Sequence, residues 1–157
     1  MSSLRRESAE LLVAAEAVLY FACTSLALAL PPRLVLLPIV RQALAGTARS
    51  GAEAEGTLPA RRRLVAVRLW RVMDKVSGRL PWEPKCLQRS LVLVWLLRRH
   101  GLKPSLAIGI RLQEHALEAH AWAELGGTPV GEVVDPSETF RRFPGASEAW
   151  LLNQGTR

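Results

Sequence analysis

Residues 81–111 read PWEPKCLQRSLVLVWLLRRHGLKPSLAIGIR, and the fold class turns on how this run is divided. Leu87, Leu91, Leu93, Val94, Trp95, Leu96 and Leu97 surround most of a helix drawn over residues 86–101. A helix apolar nearly all round belongs inside the molecule, so this one is expected to be the buried centre. Pro84 stands just before its start and Gly101 just past its end, the usual punctuation of a helix. Arg98, Arg99 and His100 occupy the last turn, where the helix dipole favours cations. Beyond Gly101 the period changes. Residues 105–111, SLAIGIR, alternate in the manner of a strand.

Working outward towards the C-terminus, residues 119–125 (AHAWAEL) read as a second strand, with His120, Trp122 and Glu124 on one face. Gly126-Gly127 supplies a hairpin turn, and residues 129–134 return as a third strand ended by Asp135-Pro136. Phe140, Phe143 and Trp150 are expected to pack back on the sheet.

Towards the N-terminus lies the turn-rich GRLPWEPK of residues 78–85. A helix is expected over residues 61–77, with Arg61, Arg62, Arg63, Arg68 and Arg71 on a basic side. Residues 46–60 are small and polar and mark a linker. Two more helices are expected, over residues 34–45 and over 7–30, the latter stopped by Pro31-Pro32. Between Leu11 and Leu30 the only charge is Glu16, and a run of that length just spans a bilayer. The favoured reading is a buried helix of a helical subdomain, with membrane contact as the alternative. Cys23, among Phe21, Ala22 and Leu26, is expected to be inert core.

Helices, a buried helix and then an antiparallel meander make an α+β pattern. Residues 1–80 are expected to form a helical packing and docking region, and residues 81–157 the functional core.

The composition narrows the chemistry. The chain has 157 residues, 49% of them hydrophobic and 22% charged, which suits one globular domain. Two cysteines exclude a disulfide-rich scaffold and a four-cysteine zinc site. The apolar N-terminal run lacks a small-residue cleavage site behind it, so a reducing cytoplasm is the expected compartment. The net charge of +7 is uneven: residues 1–80 hold 12 Lys/Arg against 6 Asp/Glu, and residues 81–157 hold 9 against 8. A nucleic-acid partner ranks last, because no interleaved aromatics or reader motif accompany the charge. No cofactor is implied, and the histidines and acids do not have the spacing of a known metal site.

Cys86 opens the central helix, where unpaired N–H groups and the positive end of the dipole stabilise a thiolate. A nucleophilic cysteine needs a base, and the base an orienting group. His100 ends the same helix, roughly 20 Å away at 1.5 Å per residue. His115 is expected in an exposed loop. His120 lies in a strand between Ala119 and Ala121, small enough to let a helix approach, and is the expected base. The orienting acid depends on hairpin register. A four-residue loop, 126–129, pairs Leu125 with Val130 and sets Asp135 opposite His120. A three-residue loop sets Glu132 opposite Trp122, on the face of His120. Pro129 cannot donate to a ladder, which favours the longer loop and Asp135, with Glu132 as rival.

The run 81–111, followed by AHAWAELGGTPV, resembles the leader peptidases of lasso-peptide biosynthesis, members of the transglutaminase-like superfamily. The likeness rests on the cysteine helix (Cys86, Leu87, Arg89, Ser90, Leu91), its Arg-His-Gly end, the IGI strand and His120-Ala121-Trp122, over about residues 81–135. The resemblance implies a papain-like core with the cysteine helix packed on an antiparallel sheet. It implies Cys86 as nucleophile and His120 as base. The family's third member is an Asp about a dozen residues after the histidine; Glu132 stands there, so that role stays between Glu132 and Asp135. The implied reaction is cleavage of a precursor peptide through an acyl-enzyme. The implied partners are the precursor's leader, a separate leader-recognition protein and the lasso cyclase. Cysteine 86 lies behind helices that leave no room for a fused recognition module, so the split form is expected. The alternatives are a transglutaminase-like amide transfer and a non-catalytic membrane-associated adaptor.

Overall fold

The computed structural model describes residues 2–29, 59–114 and 116–142. Among them the chain runs α1 (Ser2–Ala29), α2 (Ala60–Ser77), α3 (Cys86–Arg99), β1 (Pro104–Gln113), β2 (Ala116–Leu125), β3 (Thr128–Pro129), a 3₁₀ turn (Pro136–Glu138) and β4 (Arg141–Arg142). This is the α+β order expected. The helix expected over residues 34–45, most of the 46–60 linker, His115, Phe143 and Trp150 lie outside the described residues.

The central helix is where the pattern puts it. Val92, Val94, Leu96 and Leu97 of α3 are wholly buried. Its end is closed by two backbone bonds, Gly101 N–H to Arg98 O and Leu102 N–H to Leu97 O, both 3.0 Å. This double closure satisfies carbonyls that the helix itself leaves open, and it seats Leu102 in the core. Around α3 gather Ala17 and Phe21 from α1, Ala66, Leu69 and Met73 from α2, and Leu106, Ala123 and Leu125 from the sheet.

β1 and β2 pair antiparallel over their full lengths, with Leu106 opposite Ala123, Ala107 opposite Trp122 and Gly109 opposite His120. Alternation puts Leu106, Ala121, Ala123 and Leu125 on the face towards the helices. Trp122, His120 and Ala107 fall on the other. Small residues at Ala121 and Ala123 let α3 come close. There the Ser90 hydroxyl meets both Ala121 O (2.7 Å) and Cys86 O (2.9 Å). One side chain thereby ties the first turn of the cysteine helix to the histidine strand.

The sheet order is β3-β2-β1-β4. β3 is two residues long, not the six expected over 129–134. The hairpin has neither of the two loops considered. Leu125 pairs with Thr128 and Glu124 with Pro129, across a two-residue turn. Gly126 and Gly127 both have positive φ, +57° and +76°, which a tight turn of the twist-matching kind requires and side chains resist. Val130 N–H reaches Ala123 O at 2.9 Å. Bonding alternates along a ladder, so Pro129 sits where its missing N–H would face away from β2, and it costs nothing.

α1 is one-sided. Ala17, Phe21 and Thr24 are buried at helical spacing, and Gln88 Nε2 approaches Phe21 O, Thr24 Oγ1 and Ser25 Oγ at 2.7–3.1 Å. Ion pairs Arg99–Glu16 (2.8 Å) and Arg68–Glu10 (3.2 Å) flank that seat. On the opposite side Leu11 is 70% exposed and Leu19 60%. Cys23 belongs to that side and is exposed, which corrects its expected place in the core. The reason is angular. Two residues past Phe21, at about 100° per residue, Cys23 is turned from the buried stripe. The stretch Glu7–Leu26 is long and apolar enough to cross a membrane, and in this fold its Ala17–Phe21–Thr24 face is packed against the protein.

Candidate active site

Cys86 is the first residue of α3 and is half-buried. Lys85, in the capping position, makes no side-chain bond to the helix start. The first N–H groups of α3 are therefore not occupied by that side chain. A cavity of about 290 Å³ opens beside the thiol, between α2, α3, β2 and residues 130–132. Cys86, His120 and Glu132 all line it, with Arg89 and Ser90. Elements 34 residues apart in sequence thus bring the nucleophile and base candidates to one chamber. Among the described residues no hydrogen bond joins Cys86 to His120. Such contacts are often long without substrate and tighten when it binds.

His120 Nε2 lies 3.4 Å from Glu132 Oε1. With Nε2–H donating to that carboxylate, Nδ1 is the ring nitrogen left to serve the sulfur. The two side chains are 28% and 31% exposed, so water screens their attraction, and the contact orients the ring more than it binds it. Two aromatic rings contact the imidazole. Trp122 stacks at 5.9 Å between centroids and 18° between planes, and Phe140 tilts at 5.4 Å.

Beneath His120, Trp122 Nε1–H donates to Glu124 Oε1 at 2.7 Å, and Arg142 Nη2 donates to the same oxygen. Glu124 is 2% exposed, and a carboxylate so buried needs such donors. Arg142 thereby fastens the returning segment, with Phe140 on it, over the histidine face of the sheet.

The hairpin register explains which acid arrives. The chain leaves the ladder at Gly131, whose φ is +83°. A Cβ there would lie 2.1 Å from Trp70 Nε1. The bend and the indole together turn Glu132 back to His120, with no cross-strand pairing. Asp135, favoured by the four-residue loop, goes elsewhere. It is exposed, and its Oδ1 accepts from Ser137 N–H (2.9 Å) and Ser137 Oγ–H (2.6 Å) at the head of the 3₁₀ turn. Those bonds hold its carboxyl below the usual carboxylate range.

Asp135→Asn keeps an accepting oxygen for the cap and is expected to leave turnover within about twofold, whereas Glu132→Ala lowers it about 10²-fold. Steady-state assays of both variants on one substrate distinguish them. Because the folded-state value of Asp135 is lowered, its stabilising bonds are complete above the normal carboxylate range and fade as pH falls through the lowered value. Gly131→Ala is expected to destabilise the protein by at least about 1 kcal/mol through strained φ alone, before the indole moves. A urea melt and the loss of turnover should report both effects.

The sequence pointed to Cys86 and His120, to Asp135 ahead of Glu132 as the acid, and to Phe140 on the sheet; Cys86 and His120 line one cavity, and Glu132, not Asp135, lies beside the histidine. Sequence reasoning did not foresee Ser90 as a clamp, Trp70 as a wall or Arg142 as the partner of Glu124. Gly131 was a signal: a glycine inside a stretch read as strand marks a bulge or a close approach.

The family model of the transglutaminase-like superfamily matches residues 26–144, a span that takes in α2, α3 and the whole sheet. Comparison with curated proteins gives no match, and neither does comparison with solved structures. The cysteine at the head of a buried helix, the antiparallel sheet behind it and the extent of that match lead to one statement: the chain belongs to the transglutaminase-like superfamily, which includes cysteine proteases and transglutaminases.

Proposed function

We propose that the protein is a cysteine endopeptidase that removes the leader from a lasso-peptide precursor, with Cys86 as nucleophile, His120 as base and Glu132 as the orienting acid. The observation that carries this reading is the shared cavity: the thiol at a helix start and a histidine whose far nitrogen meets a carboxylate both line it. The lasso assignment rests on the resemblance of residues 81–135.

The steps are these. His120 Nδ1 takes the thiol proton. The sulfur attacks the scissile carbonyl carbon, with the Cys86 N–H at the start of α3 donating to the developing oxyanion. The C–N bond breaks as His120 returns the proton to the departing amine. The leader is left as a thioester on Cys86. Water attacks that carbonyl, His120 accepts its proton, and the thiolate leaves. The products are a leader with a free carboxylate and a core peptide with a free amine, the group a separate cyclase needs. The leader, a small recognition protein and the cyclase are the partners this reading implies, in the cytoplasm.

Turnover of the cognate precursor peptide, run in H₂¹⁸O, tests it. Mass spectrometry is expected to find one ¹⁸O in the new C-terminal carboxylate of the leader. A leader released as an amide, or a precursor that stays intact with the recognition protein present, overturns the reading.

A further inference from the structure

A histidine ring turns about a soft, roughly two-fold torsion, so a weak hold leaves either nitrogen free to face the sulfur. The Glu132 contact is a weak hold. It is 3.4 Å long, and both partners meet water. The ring also touches Trp122, its neighbour on β2, and Phe140, which comes from 20 residues further along the chain. The strand after Phe140 cannot fix that ring by itself. β4 pairs with β1 only at Gly109–Arg142 and Ile110–Arg141. Side chains do the rest. Gly109 leaves the room that Phe140 takes, since a Cβ there would lie 2.7 Å from the Phe140 Cβ. The Arg111 guanidinium stands 4.8 Å from the phenyl centroid. Arg142 Nη2 donates to Glu124, which is 2% exposed. A carboxylate so deep costs more hydration than an apolar side chain would at the same place. What it supplies in exchange is direction, a fixed point to which Arg142 ties the segment.

We infer that Glu124, Arg142 and Phe140 are positioning residues for the base: the Arg142–Glu124 pair latches residues 136–142 so that the Phe140 ring stops His120 turning away from Glu132 and the Cys86 cavity. The inference rests on the peptidase reading above, which makes His120 the base for Cys86. The charges around the imidazole are Glu132 at Nε2, Arg89 on the cavity lining, Arg111 with Glu118 past Phe140, and Arg142 with Glu124 past Trp122. Removing Phe140 changes none of them. Removing Arg142 changes one.

Alkylation of Cys86 by iodoacetamide tests the latch on the full chain without a substrate. The rate is followed by mass spectrometry of the peptide containing Cys86, with Cys23 reporting the reagent's own pH dependence. At about pH 6 a thiol left to itself is almost wholly protonated, so a rate gained there comes from a base that takes the proton. Wild-type Cys86 is expected to react about 10-fold or more faster at that pH than Cys86 in His120→Ala. Phe140→Ala and Arg142→Ala are expected to fall to within about twofold of His120→Ala, and Arg142→Lys, which keeps a donor for Glu124, to stay within about twofold of the wild type. At about pH 9.5, where thiols ionise without help, all these proteins should agree within about twofold, which a site merely opened or collapsed would not give. Phe140→Ala leaves the latch in place and remains informative should Arg142→Ala unfold. A Phe140→Ala protein that keeps the wild-type ratio between the two pH values overturns the positioning role and leaves the peptidase reading standing. A loss in Arg142→Ala alone also overturns it, because the pair would then act by charge and not through the ring. Equal profiles for the wild type and His120→Ala overturn both.

Discussion

On the proposed reading, replacing Cys86 by alanine is expected to lower leader release by about 10⁴-fold or more, while the fold stays intact. The size of the loss follows from the role. Without sulfur there is no thioester, and what the cavity retains is binding and the helix-start N–H groups. The fold should survive because the thiol is small, half-buried and free, and no hydrogen bond or bridge depends on it among the described residues. Thermal melts of the two proteins should agree within about 1 kcal/mol, the scale of a mild surface-proximal truncation. His120→Ala should fall nearly as far as Cys86→Ala, and the double variant no further than either, because groups acting as one unit are not additive. Full leader release by Cys86→Ala would remove the mechanism. Cys23 is the internal control. It is exposed on α1, remote in role from the cavity, and Cys23→Ser should leave turnover unchanged.

The second large effect is on stability. Trp122→Ala should destabilise the protein by about 3–5 kcal/mol, a large part of the roughly 5–15 kcal/mol that holds a domain folded. That corresponds to a fall in Tm of about 6–20 °C. Trp122 is wholly buried, lies under Arg142 at 6.0 Å and stacks on His120. Its removal opens a cavity and also strips one donor from the buried Glu124. Trp122→Phe separates the two causes. The phenyl ring keeps most of the contact area, so its cost of about 1–3 kcal/mol reports the lost N–H bond. A cycle with Glu124→Gln, followed by urea denaturation, should give a coupling of the same sign. Additive single effects would mean that the indole contributes packing alone.

Several features were readable from residues 81–125 because they are local. The all-round apolar character of α3 states that it is central. Pro84 and Gly101 state where it starts and stops. Alternation in SLAIGIR and AHAWAEL states two strands, and elimination among three histidines singles out the one that shares a cavity with Cys86. Each of these is set by the order of neighbours along a few turns or pleats, which the chain carries without help from distant residues.

The acid was not local. The hairpin is decided by two adjacent glycines that accept positive φ, and the two longer loops considered would have placed Asp135 or Glu132 by register. In the folded chain neither register applies. Glu132 reaches His120 because Gly131 bends against Trp70, a residue 61 positions earlier, and Asp135 is diverted by Ser137, two positions later. The same is true of Cys23, whose neighbours in sequence are apolar but whose direction on α1 is set by where α2 and α3 lie. By itself, then, the sequence determined the α+β order and the central helix and singled out Cys86 and His120 as candidates, since periodicity and end signals act within one element. Only the tertiary structure decided which acid lies beside His120, which aromatic rings contact it and what lines the cavity, since each is made where elements far apart in the chain come into contact.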